Sequence, residues 1–236
     1  MSITVLQLHK RASYQFKNIQ DKFAFNEANK CFALADGTTQ SFNSETWAEI
    51  ITKYFVSNPT FENKNLITDF TNCVEQYKNA KFEFSTNPAK ASLEKTKQNK
   101  GGTATFIGLQ FLQDNHFNVI SCGDTNLFIL SKDNVEHFPY SDIENLDANN
   151  FFINTEQLLQ NKIDEAYFQT KTFSFHNNDT LLLATDALSR LILKQPNVIS
   201  ELTAINDFET LHKFCLKYWD KKELEEDDIS AINIKI

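Results

Sequence analysis

Cysteine, proline, glycine and methionine are scarce in this sequence: its 236 residues include 4 Cys, 4 Pro, 5 Gly and 1 Met. No two of the cysteines form a CxxC pair, which excludes a zinc ribbon and a redox dithiol. Free cysteines of this kind are usually buried and chemically inert. We therefore expect reduced cysteines, with inert buried thiols at Cys31, Cys122 and Cys215, which have apolar neighbours in the sequence.

Long hydrophobic runs and clustered positive charge are also missing. No apolar run approaches the roughly 18 residues that a membrane span needs, and the opening MSITVLQLHK lacks the pattern of a secretory signal. The net charge of −8 and the pI of about 5.2 disfavour nucleic acids and anionic membranes as partners, because both are bound through clustered Lys and Arg. We expect a cytoplasmic monomer that binds neither.

The familiar short catalytic signatures are absent as well. The sequence has no GxxxxGK[ST], GxGxxG, HExxH or GxSxG, which disfavours the nucleotide-binding, zinc-protease and serine-hydrolase sites that depend on them. The five histidines are isolated from one another along the chain. A histidine-based catalytic site is therefore disfavoured too.

What the sequence does contain is regular apolar patterning. Alternation predicts strands in ITVLQLH and DISAINIKI and a hairpin from KFAFN and KCFALAD. The strands after Gly101-Gly102 are joined by short turns, which predicts an antiparallel meander. A 3.6-residue period predicts helices after Ser44, around 66–77, in ALSRLILK and in NDFETLHKFCLKYW. Residues 85–100 are expected to form an exposed connection and 139–165 an excursion, within one layered α+β domain over 1–236.

Acidic residues recur at the ends of the predicted strands. They are Asp21, Asp36, Asp124, Asp186, Asp227 and Asp228. Each one is ordinary by itself, because Asp is common in turns. If the strands are neighbours, however, the carboxylates converge and repel one another unless a cation holds them together. Ligand sets made only of oxygen favour hard cations such as Mg²⁺ or Mn²⁺.

Several of these strand ends carry a family resemblance. FALADGTTQS, GGTATFIGL, VISCGDTNLFIL, LLLATDAL and EDDISAINIKI resemble, in order and approximate spacing, motifs of the metal-dependent type 2C protein serine/threonine phosphatases. Those proteins show an ADG turn, a GGT segment, a GDS turn, an SDG turn and a DN pair before the last strand. NIQDKFAF resembles their early N-[EQ]-D segment. The resemblance spans about 18–236, and six short motifs in register make it specific.

The resemblance implies a fold, a site and a reaction. The fold is an α-β-β-α sandwich of two antiparallel sheets flanked by helices. The site holds two Mg²⁺ or Mn²⁺ ions on Asp36, the Gly37 carbonyl, Asp186 and Asp227, and a water held by the ions attacks the phosphoserine or phosphothreonine of a protein. Asp21 acts mostly through bound water, and Asp124 can help to hold a third ion. The segment 139–165 corresponds to a variable flap, which makes it the candidate for substrate choice.

The sequence also departs from the family in three places. The family's DGxGGH turn is DGTTQS here, and the SDG glycine is Ala187, so that turn cannot easily take a positive φ. Gln15 stands where the family carries an arginine that contacts phosphate. Arg11 and Lys17 are the nearby candidates to replace it. A site without a positioned guanidinium loses a bidentate phosphate clamp.

Two functions from different classes remain open. The retained acids favour a metal-dependent phosphatase that acts on a phosphorylated protein. The altered turn and the missing arginine favour a catalytically weak or inactive domain of the same fold, with a regulatory or scaffolding role. A protein with no site at all is disfavoured, because six motifs occur in register.

Overall fold

Two antiparallel sheets of five strands each form the centre of the computed structural model, which describes residues 1–11, 19–132 and 134–236. Across the first sheet the strands are β1 (Ser2–Leu8), β12 (Ile229–Lys235), β11 (Thr180–Ala184), β7 (Asn126–Ser131) and β8 (Asn134–Phe138). Across the second they are β10 (Gln169–Ser174), β6 (His116–Cys122), β5 (Phe106–Phe111), β3 (Cys31–Ala35) and β2 (Lys22–Asn26). A separate short pair joins β4 (Thr103–Ala104) to β9 (Ile153–Asn154).

Helices cover the outer face of each sheet. The second sheet is covered by α1 (Ser44–Ser57) and α2 (Asn63–Asn79). The first sheet is covered by α6 (Asp186–Lys194), α7 (Val198–Thr203) and α8 (Phe208–Asp220). The apolar stripe of each long helix faces its sheet, as amphipathic patterning requires. The remaining helices are α3 (Pro88–Gln98), α4 (Ile143–Asp147) and α5 (Thr155–Leu159).

Three apolar layers hold these elements together. Trp47, Phe55 and Phe70 fill the layer between the second sheet and its helices. Phe32 and Phe117 lie in the layer between the two sheets. A third layer separates the first sheet from α6, α7 and α8. The predicted fold class, α+β with two antiparallel sheets flanked by helices, is confirmed.

The predicted meander is wrong at one turn. The strands β5 and β6 pair in the second sheet, but β7 pairs with β8 and β11 in the first. The chain changes sheets at Gly123, whose φ is +97° and whose missing Cβ would lie 2.5 Å from the Cβ of Thr105. Short connections predicted pairing of consecutive strands, whereas this tight glycine turn redirects the chain across the sandwich.

The structure also contains helices that the sequence did not predict. Residues 85–100 are exposed as expected, but they include α3, which begins at Pro88 under a side-chain cap from Asn87. Proline suits this first helical position because its missing N–H is not needed there. The helices α4, α5 and α7 are further additions.

The four cysteines are free and buried, which confirms the burial predicted for Cys31, Cys122 and Cys215 and adds Cys73. Burial raises the pKa of the Cys31, Cys73 and Cys215 thiols to about 12, which keeps them protonated and unreactive. None of the helices within the described residues is long and apolar enough to span a membrane.

Candidate active site

The hairpin of β2 and β3 places Asp21 beside Asp36. Lys22 pairs with Ala35, so the residue before Lys22 and the residue after Ala35 lie at the same end of the hairpin. Asp21 is 1% exposed, and the Asp36 carboxyl lies within hydrogen-bond reach of it. The Thr185 hydroxyl donates a second hydrogen bond to Oδ2 of Asp21, at 3.0 Å.

The first sheet brings further acids to the same place. Ala184 of β11 pairs with Asn126 of β7 and with Ala231 of β12, which aligns one end of these three strands. Asp124 lies just before this end of β7, and Asp186 lies just after this end of β11. The two side chains are each 15% exposed, so both carboxylates are largely shielded from bulk water.

Four of the six predicted acids share one pocket of about 470 Å³. Asp21 and Asp228 are buried beside it rather than lining it. The loop after Asp36 adds hydroxyl and amide groups to the wall. The lining consists of Asp36, Thr38, Thr39, Gln40, Thr103, Asp124, Phe152, Asp186 and Asp227.

Burial and mutual repulsion give these carboxyls a strong affinity for positive charge. Burial, and then the charge of Asp228, raises the pKa of Asp21 from 3.8 to about 7. Burial also raises the pKa of Asp36 well above its ordinary value, with Asp21 and Asp186 adding repulsion. Burial and the charge of Asp186 raise the pKa of Asp124 to about 7. A cation bound among these groups would favour their ionised forms.

Arg190 places a positive charge among these acids. The side chain is 16% exposed, and its Nη1 donates a short hydrogen bond to Oδ2 of Asp186. Its Nη2 lies 3.6 Å from Oδ2 of Asp124. Asp186 and Arg190 are four residues apart in α6, so they share one face of the helix.

Lys10 supplies a second positive charge, and it lies at Asp227. Its Nζ is 3.4 Å from Oδ1 of Asp227 and 3.5 Å from the hydroxyl oxygen of Thr39. The adjacent Asp228 has a different role. Its carboxylate accepts hydrogen bonds from the backbone N–H of Lys10, at 3.0 Å, and from that of Gln20, at 2.8 Å. Asp228 thereby ties the start of β12 to the segment that carries Lys10.

Of the two predicted phosphate-binding residues, the structure describes only Arg11, which lies away from the pocket. Arg11 lies 3.5 Å from Asp220 and 3.6 Å from Glu226, and its guanidinium lies over the ring of Trp219 at 5.9 Å. It therefore packs against the end of α8. Lys17 lies outside the described residues.

Gly37 is fixed by a close backbone approach. A Cβ at this position would lie 2.7 Å from the carbonyl carbon of Ser44 and 2.9 Å from the carbonyl oxygen of Gln20. Only glycine fits there without displacing the start of α1. An isolated bridge to Ala104 fixes the other side of Gly37.

Two of the sequence departures have simple structural outcomes. Ala187 lies in the first turn of α6 and does not have a positive φ, so the expected difficulty at that position does not arise. The altered DGTTQS turn is held by side chains: the Ser41 hydroxyl oxygen accepts from the Thr38 hydroxyl at 3.1 Å and from the Thr103 N–H at 3.0 Å.

Sequence reasoning missed Lys10, Arg190 and Thr39 as residues of the pocket region. A signal existed for Arg190, because an arginine four residues after a predicted site acid lies on the same helix face. For Lys10 the only signal was its adjacency to Arg11, since neighbours in an extended chain point to opposite sides.

The acids fit hard divalent cations in the chemistry of their oxygen donors. Oδ1 of Asp124 is buried without a hydrogen-bond partner, so an acceptor at the pocket is unused. No three His, Cys, Asp or Glu residues in the described parts of the chain are yet arranged around a common metal position. Arg190 and Lys10 lie against these acids instead, and rearrangement of their side chains would accompany metal binding.

Comparison with known proteins identifies the fold. The sequence matches no protein-family model and no curated protein. A point mutant of a bacterial serine phosphatase matches over 100% of this chain and 98% of its own, at 14% identity and a TM-score of 0.67. The catalytic domain of the serine/threonine phosphatase PstP, in complex with two manganese ions, matches over 100% of this chain and 98% of its own. Its identity is 12% and its TM-score is 0.62. RsbX in complex with magnesium matches over 99% of this chain and 94% of its own, at 17% identity and a TM-score of 0.57.

These neighbours define the class of fold: the chain has the fold of the type 2C protein serine/threonine phosphatases over its whole length. The resemblance inferred from six short motifs is confirmed at the level of the fold.

Proposed function

We propose that this protein is a metal-dependent phosphatase that hydrolyses phosphoserine and phosphothreonine in proteins. The observation that supports this proposal is that Asp36, Asp124, Asp186 and Asp227 line one pocket. They do so at strand ends, in a chain with the type 2C phosphatase fold.

The proposed cofactor is a pair of Mg²⁺ or Mn²⁺ ions, held by Asp36, the Gly37 carbonyl, Asp186 and Asp227. Such ions supply a water that ionises near neutral pH and neutralise charge on the phosphoryl group. The buried Asp21 positions the Asp36 carboxyl through their hydrogen bond. Thr185 in turn fixes Asp21, so the least exposed acid is a positioning group.

Lys10 takes the phosphate-contacting role that was expected of Arg11 or Lys17. Its ammonium-bearing side chain is 22% exposed and lies between Asp227 and Thr39. Because Asp227 and Thr39 both line the pocket, the Lys10 ammonium lies where it could contact a phosphoryl group bound there. An ammonium provides a single charged contact rather than the fork of a guanidinium.

The reaction we assign is direct attack by water. Among the described residues that line the pocket, none is a serine, cysteine or histidine, so the wall lacks the serine–histidine and cysteine–histidine pairs that activate a covalent nucleophile. Phe152 contributes an apolar wall from the segment 139–165. We propose that this segment acts as the substrate-selecting flap of one domain that spans residues 1–236.

The rival function is a regulatory or scaffolding domain without useful activity. The observation that favours it is that Lys10 and Arg190 already pair with three of the pocket acids. Charges that are satisfied in this way give a stable pocket without metal. The two functions differ in their response to Mn²⁺, which an inactive domain does not require.

The test is phosphate release from phosphoserine and phosphothreonine peptides by chelator-stripped protein, with and without Mn²⁺. We expect hydrolysis only with Mn²⁺, and a loss of at least about 100-fold in Asp36→Asn, because a charged group in the reaction centre is removed. Glu75→Gln is the matched control, since it removes one exposed carboxylate from α2. No hydrolysis above the uncatalysed rate in any of the three proteins, with or without Mn²⁺, would contradict the phosphatase and favour the rival function.

A further inference from the structure

Arg190 makes an unusual set of contacts for one side chain. Its Nε donates to Oδ1 of Asp147 at 2.8 Å, and its Nη1 reaches both Asp186 and Glu225, the latter at 3.4 Å. Its Nη2 lies 3.6 Å from Asp124. Four carboxylates, from four separate segments of the chain, therefore surround one guanidinium.

This arrangement leaves the guanidinium no free nitrogen with which to grip a phosphate. All three of its nitrogens face carboxylates. Its side chain is also about as shielded from water as those of Asp124 and Asp186. Arg190 is therefore a counter-ion to the pocket acids rather than a substrate clamp.

The corner between Asp124 and Asp186 has the chemistry of a cation site. Both carboxylates are mostly buried, and each presents one oxygen to Arg190. The other oxygen of Asp124, Oδ1, is buried and has no hydrogen-bond partner. The guanidinium thus satisfies this corner only in part, and a smaller cation with several coordination positions would use the remaining acceptor.

We infer that Arg190 is the built-in cation of the Asp124–Asp186 corner and keeps a divalent ion out of it. Metal binding is then confined to the side of the pocket that carries Asp36, Asp227 and the oxygen of Asp186 that Arg190 does not contact. Asp124 acts as a partner of Arg190 and not as a metal ligand, which revises the role expected for it from the sequence. This inference rests on the proposed function, because it presupposes a metal-binding pocket.

The contact with Asp147 extends the role of Arg190 beyond charge. Asp147 ends α4, within the segment 139–165. One guanidinium thus links α6 to the flap-like segment. A divalent ion at the same corner could exchange with solvent, whereas an arginine cannot. The contact between the Asp124–Asp186 corner and the segment 139–165 therefore does not depend on the concentration of metal.

The test is to count Mn²⁺ bound per chain by elemental analysis after equilibrium dialysis against millimolar Mn²⁺. We expect about two ions in the wild type, about three in Arg190→Gln, and about two in Arg190→Lys, which keeps the charge. A wild type with three ions, or an Arg190→Gln variant with no more ions than the wild type, would overturn the inference.

A second variant keeps the inference testable if Arg190→Gln does not fold. Asp124→Asn is nearly isosteric, and we expect it to leave the wild-type Mn²⁺ count unchanged. A lower count would show that Asp124 is a metal ligand and would refute the role given to Arg190.

The outcomes also separate this inference from the proposed function. If the wild type binds no Mn²⁺ but Arg190→Gln does, the arginine blocks a cation site and the proposed function fails. If both bind two ions, the inference alone fails. If neither binds any, both fail.

Discussion

Replacing Asp36 by Asn should stabilise the metal-free protein, although the substitution removes a residue from the proposed active site. The reason is electrostatic. Asp36 lies against the buried Asp21, and burial and neighbouring charges raise the pKa of its carboxyl well above the ordinary value. Asn cannot ionise, and its amide can donate to Asp21 as the protonated Asp36 carboxyl does.

The size of the effect follows from the neighbouring carboxyl. Burial, with the charge of Asp228, raises the pKa of Asp21 from 3.8 to about 7, and a difference of that size corresponds to about 4 kcal/mol. We expect Asp36→Asn to recover on the order of 1–3 kcal/mol at about pH 8, because both carboxyls of the wild type are ionised in the unfolded chain at that pH, whereas burial and repulsion disfavour their charged forms in the folded protein. For a chain of this length that is a rise in Tm of roughly 2–10 °C.

The pH dependence has a definite sign. A carboxyl with a raised folded-state pKa binds more protons in the folded than in the unfolded protein, between 3.8 and about 7 for Asp21. The free energy of unfolding of metal-free wild type therefore falls as the pH rises through this window. The advantage of Asp36→Asn should accordingly vanish at about pH 4. Bound Mn²⁺ should reverse the order of the two proteins, because it stabilises only the form that binds it.

The assay is guanidinium denaturation in chelator at about pH 4 and about pH 8, and again at the higher pH with Mn²⁺. Glu75→Gln serves as the control and should change the free energy of unfolding by less than about 0.5 kcal/mol. If Asp36→Asn is less stable than the wild type in chelator at the higher pH, the repulsion assigned to this pocket is refuted.

Three further substitutions test the roles of single residues. Lys10→Ala should lower kcat/KM by roughly 10- to 150-fold, the value of one charged hydrogen bond to phosphate, while Arg11→Ala should have little effect; equal losses in steady-state assays would contradict the assignment of Lys10. Gly37→Ala should lower the free energy of unfolding by about 1–3 kcal/mol, because its Cβ would lie 2.7 Å from the backbone of α1, and an unchanged Tm would refute the close approach. Phe106→Ala removes a ring that packs edge-on against two others and should cost about 3–5 kcal/mol, against about zero for the exposed Leu93→Ala; similar melting curves for both would argue against the layer of aromatic residues under α1.

Much of the fold could be predicted because local pattern and tertiary structure agree. The hairpin of β2 and β3, the terminal strand β12 and the amphipathic helices follow from residue periodicity alone. The step from β6 to β7 could not be predicted in this way. Short turns indicate consecutive pairing, and only the packing of two sheets decides that the chain crosses at Gly123.

The acidic residues of the candidate site could be predicted from the sequence, but its basic residues could not. Asp36 and Asp186 each directly follow a buried strand. The two acids could therefore be predicted to lie close together if the ends of those strands are close in the fold. Lys10 and Arg11 are neighbours in sequence, and which of them faces the pocket depends on how the chain leaves β1. Asp228 fixes that choice by accepting the Lys10 N–H, a contact between residues that lie near opposite ends of the chain.

The binding of Mn²⁺ to the pocket acids is measured most directly by electron paramagnetic resonance of Mn²⁺ titrated into chelator-stripped protein. Aqueous Mn²⁺ gives a six-line signal, which loses amplitude when the ion binds. We predict that wild type and Glu75→Gln suppress this signal up to about two equivalents, and that Asp36→Asn combined with Asp227→Asn leaves it at its aqueous amplitude. Equal suppression by all three proteins would place the ions elsewhere, and no suppression by the wild type would contradict a metal-dependent site.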